Sequence, residues 1–141
     1  MSMSSPLDCL CGPGGSLHQE APDAKEFSNL VQSGSRRLAD AERPENSLES
    51  RFDLAYNAAH ALCLAALRRS GYRPSKRYIV FQALPHTLGL GPEVWRVLDR
   101  AHTVRNRSEY EGDMSVDERL LTDLIKACRT VLASLQRLPP I

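Results

Sequence analysis

FDLAYNAAHALCLAAL, residues 52–67, decides how this chain is read. Wound as a helix at about 100° per residue, the stretch is apolar nearly all the way round. Such a helix is buried on several sides and belongs at the centre of its domain. Its many alanines let neighbouring backbones come close. Three residues break the apolar character: Asp53, Asn57 and His60. They fall within roughly 60° of one another and form one narrow polar stripe. Asn46-x-x-Glu49 marks the start of this helix, and Gly71 suits the position just past its end.

The flanking segments are helical too. Asp23-x-x-Glu26 makes a capping box, and Ala24, Phe27, Val31, Gly34, Leu38 and Ala41 follow at three/four spacing, up to the stop at Pro44. After the basic connection RRSGYRPSKR, residues 68–77, the run YIVFQAL (78–84) reads as strand or helix. No other run alternates with period two, so a strand here has no partner, and a short third helix is expected. Pro85 should stop or kink it, and Gly89 should end it. Pro92 suits the first turn of a fourth helix, with Val94, Leu98, Ala101 and Arg105 along its inner face. Ser115-x-x-Glu118 opens a fifth, carried by Leu121, Leu124, Cys128, Val131 and Leu135 to Pro139. These segments predict an all-α, antiparallel bundle of four to five helices over residues 22–141, a single domain. Residues 1–21, rich in Ser, Gly and Pro, read as a flexible tail with a short docked turn around Leu7, Leu10 and Leu17.

The 141 residues suffice for one cored domain, and a net charge of +1 favours neither nucleic acid nor membrane as a partner. No apolar run approaches the roughly 20 residues of a membrane helix. The N-terminus lacks the basic and apolar regions of a secretory signal, so a cytoplasmic protein with reduced thiols is expected. Cys63 and Cys128 sit inside apolar helical patterns, as buried thiols do. Cys9-x-Cys11 near His18 matches no zinc spacing, and neither metal nor cofactor is expected.

Two polar features stand out. The first is Arg105 on the inner stripe of helix four, where burial of a guanidinium costs several kcal/mol unless it is paired. Glu109 lies four residues on, and the stripe Asp53, Asn57 and His60 supplies more acceptors if the two helices pack face to face. A bundle pinned by one buried polar network explains these residues as well as a binding site does. The second is the basic group Arg68, Arg69, Arg73, Lys76 and Arg77, interleaved with Tyr72 and Tyr78. Cations beside stacking rings suit a phosphodiester backbone. Helix C-termini also favour Lys and Arg for dipole reasons alone. His18, His86 and His102 stand singly, where local hydrogen bonds are the ordinary role.

A helical domain of this size, with AYNAAHALCLAAL in its second helix (55–67) and RNRSEYEG (105–112) ending its fourth, resembles the HEPN superfamily. These small all-α domains occur in prokaryotic toxin–antitoxin pairs, beside minimal nucleotidyltransferases and in defence systems. The resemblance covers about residues 23–138. The family motif is an arginine, often followed by a polar residue such as Asn, then a His after four to six intervening residues. Arg105 and Asn106 match its start, but the residue after four intervening positions is Tyr110.

In active members the motif resembles the site of a metal-independent endoribonuclease. Its arginine holds the scissile phosphate, and its histidine acts as general acid/base for attack by the 2′-hydroxyl. The arginine role carries over to Arg105. The histidine role does not, since tyrosine titrates at about 10 and is a poor base at neutral pH. Tyr110 retains the capacity to donate a hydrogen bond to phosphate or to stack on a base. Along an unbroken helix, positions 105 and 110 differ by about 140°, so they converge only through a helix break or between two chains.

The resemblance implies a homodimeric module that partners a nucleotidyltransferase or antitoxin, or binds RNA, without full nuclease activity. The alternative is a toxin-like endoribonuclease using Arg105 in a degenerate Arg-x4-Tyr motif, with Tyr110, His102 or His60 replacing the histidine.

Overall fold

The structure, a computed structural model, describes residues 7, 8, 11, 15–77, 79–111 and 116–141, with positions 108–111 described by backbone alone. It is mostly helical. Four long helices carry the fold: α1 (Ala24–Ala41), α2 (Leu48–Arg69), α5 (Pro92–Glu111) and α6 (Glu118–Gln136). Two four-residue helices, α3 (Ile79–Gln82) and α4 (Leu84–Thr87), sit between α2 and α5 in sequence. A two-stranded sheet, β1 (Leu17–Gln19) with β2 (Tyr72–Pro74), completes the described elements.

Helix α2 is the hub, touching α1, α3, α4, α5, α6 and β2. Phe52, Ala55, Ala58, Ala59, Leu62, Ala65 and Leu67 along it are fully buried, which is what an all-round apolar helix requires. The small residues set the spacing. A Cβ on Gly34 of α1 would stand 2.7 Å from Leu62 Cγ and Cδ2, so glycine lets α1 lie against α2. Helix α6 turns Leu121, Leu124, Cys128, Val131 and Leu135 inward, and α5 does the same with Val94, Leu98 and Ala101.

Helix starts follow side-chain capping, with two differences from the expected residues. Asp23 caps α1 by accepting from Glu26 N at 3.0 Å. For α2 the cap is Ser47, not Asn46: Ser47 Oγ accepts from Ser50 N at 3.1 Å. Asn46 instead donates to Asp40 O at 3.0 Å and helps close the end of α1. For α6 the cap is Asp117, whose carboxylate accepts from Leu120 N at 2.6 Å; Ser115 lies outside the described residues. Gly71, with φ 95°, takes the left-handed turn after α2, as its position implies.

The third helix is divided. Its break falls at Ala83, and Pro85 sits in the first turn of α4 rather than stopping a helix, because that turn needs no proline N–H.

The sheet corrects the expectation that strands are absent. Leu17, His18 and Gln19 pair antiparallel with Pro74, Arg73 and Tyr72. Three-residue strands are too short to show alternation, so the period-two test misses them. Leu17 is fully buried and Leu7 nearly so, so the described part of the expected tail is docked on the helices at both leucines. Leu10 lies outside the described residues.

Candidate functional site

The polar stripe of α2 faces α5 and the segment leading into α3. Asp53 Oδ1 lies 3.3 Å from Arg105 Nε, so the two helices do pack face to face at this point. That distance is long for a charge-assisted hydrogen bond. One turn along α2, Tyr56 is buried, and its hydroxyl meets His102 Nδ1 at 3.0 Å. The other ring nitrogen of His102, Nε2, is 3.0 Å from Asn106 Nδ2. An amide nitrogen only donates, so with Asn106 in this orientation Nε2 accepts and the proton sits on Nδ1, donated to Tyr56. Protonating His102 then requires the Asn106 amide to turn over.

Two guanidinium groups approach the Tyr56 ring. The central carbon of Arg105 is 5.8 Å from its centroid and that of Arg77 is 5.7 Å. Both distances lie within cation–π range. Arg77 also donates from an NH2 group to Asn57 Oδ1 at 2.9 Å, while Asn57 Nδ2 donates to Asp53 O at 2.9 Å within α2. Phe81 closes the floor, with its ring edge-on to Tyr56 at 5.8 Å and to His60 at 6.3 Å. Burial, with the Arg77 and His102 charges adding to it, pushes the His60 pKa down to about 4. His60 is therefore neutral at pH 7 and adds no positive charge. Among the described residues, the Asp53 carboxylate meets this pair of guanidiniums, at Arg105. Both guanidiniums thus lie against the Tyr56 ring, with a neutral imidazole on the same helix.

Of the expected site residues, the structure brings together Asp53, Asn57, His60, Arg77, Arg105 and Asn106. It places others elsewhere. Arg73 donates from Nε to Glu20 Oε2 at 2.8 Å and from NH2 to Glu26 Oε2 at 2.8 Å. Arg68, also expected in a basic patch, is only 2% exposed. It donates to Glu26 Oε1 at 2.6 Å and to the backbone carbonyls of Glu20, Ala21 and Tyr72. Hydrogen bonds from Arg73, and for Glu26 also from Arg68, hold both carboxyls below the usual range. These two arginines thus fasten β1 and α1 onto the end of α2 and are committed to carboxylates, which removes them from a phosphate surface. Lys76 is exposed and has no side-chain hydrogen bond or ion pair among the described residues. Tyr78 and the side chains of Glu109 and Tyr110 lie outside what is described.

The backbone of α5 is helical without interruption from Pro92 to Glu111. Positions 105 and 110 therefore stay about 140° apart around one axis, and no break between them brings them together within one chain.

Sequence reasoning missed Tyr56 and Phe81, and it named His102 as a stand-in for the motif histidine without placing it in this cluster. Tyr56 lies three residues from Asp53 and four from His60, at the edge of the polar stripe. His102 lies three residues before Arg105 and four before Asn106. That spacing is the signal that could have found both.

The buried thiols are inert at neutral pH. Burial raises the Cys63 pKa well above its ordinary value and pushes Cys128 up to about 12. Among the described residues no group of three or more His, Cys, Asp or Glu is placed to hold a metal ion, and no helix is long and apolar enough to cross a membrane. Compared with protein-family models, with curated proteins and with solved structures, the chain matches none.

Proposed function

We propose that the chain is a HEPN-like antiparallel helical module, cytoplasmic and homodimeric, that binds an RNA phosphate at Arg105 without cleaving the strand. The observation that carries the reading is that Arg105 and Arg77 both lie against the Tyr56 ring, with Asp53 Oδ1 3.3 Å from Arg105 Nε. Arginine suits phosphate because its planar fork makes paired hydrogen bonds. Cleavage is absent from the reading for two reasons. Position 110 is tyrosine, and both nitrogens of His102 are already engaged. A nucleotidyltransferase or antitoxin partner, and the second copy, follow from the resemblance in RNRSEYEG.

The test is binding of a fluorescein-labelled 20-nucleotide RNA, followed by anisotropy. Affinity should fall steeply with salt, and Arg105→Ala and Arg77→Gln should each weaken it at least several-fold while the helical circular dichroism is kept. Affinity unchanged by both substitutions removes the phosphate-binding reading and leaves a protein-interaction module alone.

One observation favours a second reading, a metal-independent endoribonuclease. His102 lies one turn before Arg105 on α5 and is oriented by a buried tyrosine, as a general base must be. RNA incubated with the protein in EDTA decides it. Intact RNA eliminates this reading, and cleavage lost on His102→Ala establishes it.

A further inference from the structure

A second cationic feature lies on the opposite side of α5 from the Arg105 cluster. Arg96, Arg100 and Arg107 are all exposed. At 100° per residue they fall within about 40° of one another, roughly opposite the face that carries Val94, Leu98, Ala101 and Arg105. At about 1.5 Å per residue the row is about 16 Å long, and its first two members are about 6 Å apart. Glu93 and Asp99 are exposed on the same side. Even so, no ion pair joins them to the three arginines among the described residues.

That arrangement has a cost inside the helix. Arg96 and Arg100 are spaced i, i+4, where like charges repel and weaken the helix slightly. Elsewhere the chain meets its strongly placed arginines with carboxylates: Arg68 and Arg73 with Glu20 and Glu26, Arg105 with Asp53, Arg129 with Glu42. Among the described residues the α5 row has no such carboxylate partner. Apart from His102, the basic residues of α5 are four arginines and no lysine, and the guanidinium fork is the group that matches a phosphate edge-on. Arg96 is exposed and lies 5.7 Å from the Trp95 ring centroid.

We propose that this arginine row is a docking surface for the phosphodiester backbone of a nucleic-acid strand, separate from the Arg105 cluster. A strand of duplex presents a phosphate about every 3.4 Å of axis, so a 16 Å row spans about five phosphate steps. The contact is electrostatic and reads backbone rather than base. Tryptophan beside Arg96 adds an edge on which a base can pack when the strand is single. The proposal does not depend on Arg105 binding phosphate.

The full chain and the triple variant R96Q/R100Q/R107Q are titrated with labelled 20-mers of RNA and DNA across a salt series, with a 20-residue polyglutamate as the competing polyanion. The variant should bind both 20-mers at least ten-fold more weakly at low salt. Its slope of log affinity against log salt should be shallower by about 2, three phosphates at about 0.7 each. Its melting point should stay or rise slightly, since the repulsion between Arg96 and Arg100 is gone. An unchanged affinity and slope overturns the proposal. So does polyglutamate bound as tightly as the 20-mers and lost equally in the variant, which marks the row as a surface for acidic protein. R105A run alongside separates the two sites: loss in R105A alone sinks the arginine row, and loss in the triple variant alone sinks the Arg105 site.

Discussion

The hydroxyl of Tyr56 and Nδ1 of His102 meet at 3.0 Å across the contact between α2 and α5, 46 residues apart in sequence. The tyrosine is buried and the histidine half-buried, so the bond joins the central helix to the helix that carries Arg105. A buried hydrogen bond contributes about 1 kcal/mol net, and leaving one partner unsatisfied costs about as much again. Tyr56→Phe should therefore lower unfolding free energy by about 1–2 kcal/mol. In a double-mutant cycle with His102→Ala, urea denaturation should return a coupling of about 1 kcal/mol. Additive single effects would show that the two groups do not act together.

His60 sets an acid limit on stability. Its pKa in the fold is about 4, because burial and the charges of Arg77 and His102 oppose protonation. In the unfolded chain it is about 6.5. Between these values the unfolded state binds the extra proton, so stability is full above about pH 6.5 and declines as pH falls toward 4. His60→Gln should flatten the dependence of melting temperature on pH across that window. A variant with the same acid slope as the parent would place the effect on other groups. Glu20 and Glu26 act lower: their carboxyls are depressed by Arg73 and Arg68, so their contribution is lost only below about pH 4.5.

The helices were legible because periodicity and caps are local. Asp23, Gly71 and the inner row Val94, Leu98, Ala101 and Arg105 announce themselves within a few residues of chain. The pairing of Asp53 with Arg105 was legible as a condition, since each lay on a stripe that needed a partner. Arg68 was not legible. At a helix C-terminus an arginine looks like a dipole partner, and only folding brings Glu26, 42 residues away, to its Nε. The same holds for β1, whose three residues carry no alternation, and for Tyr56, whose ring fits an apolar pattern while its hydroxyl does not. Contacts between distant segments decide these cases, and no short window of sequence contains them.

Gly34 is a test of the α1–α2 packing. A methyl group there would stand 2.7 Å from Leu62 Cγ and Cδ2, well inside contact distance. Leu62 is fully buried and has little room to move aside. In an open helix Gly→Ala stabilises by up to about 1 kcal/mol. Here overpacking, typically about 1–3 kcal/mol, should exceed that gain, and Gly34→Ala should lower the urea midpoint. A raised midpoint would mean that α1 shifts without cost and that the close approach is not required.

The Arg68 network should be the most sensitive polar feature of the fold. Its guanidinium is 2% exposed and is met by Glu26, by Glu20 at 3.1 Å and by three backbone carbonyls. Removing one partner of a buried pair typically costs about 3–5 kcal/mol, because the other charge is left uncompensated. Glu26 has Arg73 as a second partner at 2.8 Å, and it is about a third exposed. Loss of the arginine is thus eased on the carboxylate side, while the carbonyls of Glu20, Ala21 and Tyr72 lose their donor. The expected result for Arg68→Met is a loss at the low end of that range, about 3 kcal/mol. It should come with faster amide exchange across β1 and β2, since the Glu20 and Tyr72 carbonyls lie at the sheet. Glu26→Gln should cost less, because Arg68 keeps Glu20 and all three carbonyls. Equal losses from the two variants would mean that the Arg68–Glu26 pair, and not the carbonyl set, holds the N-terminal segment in place.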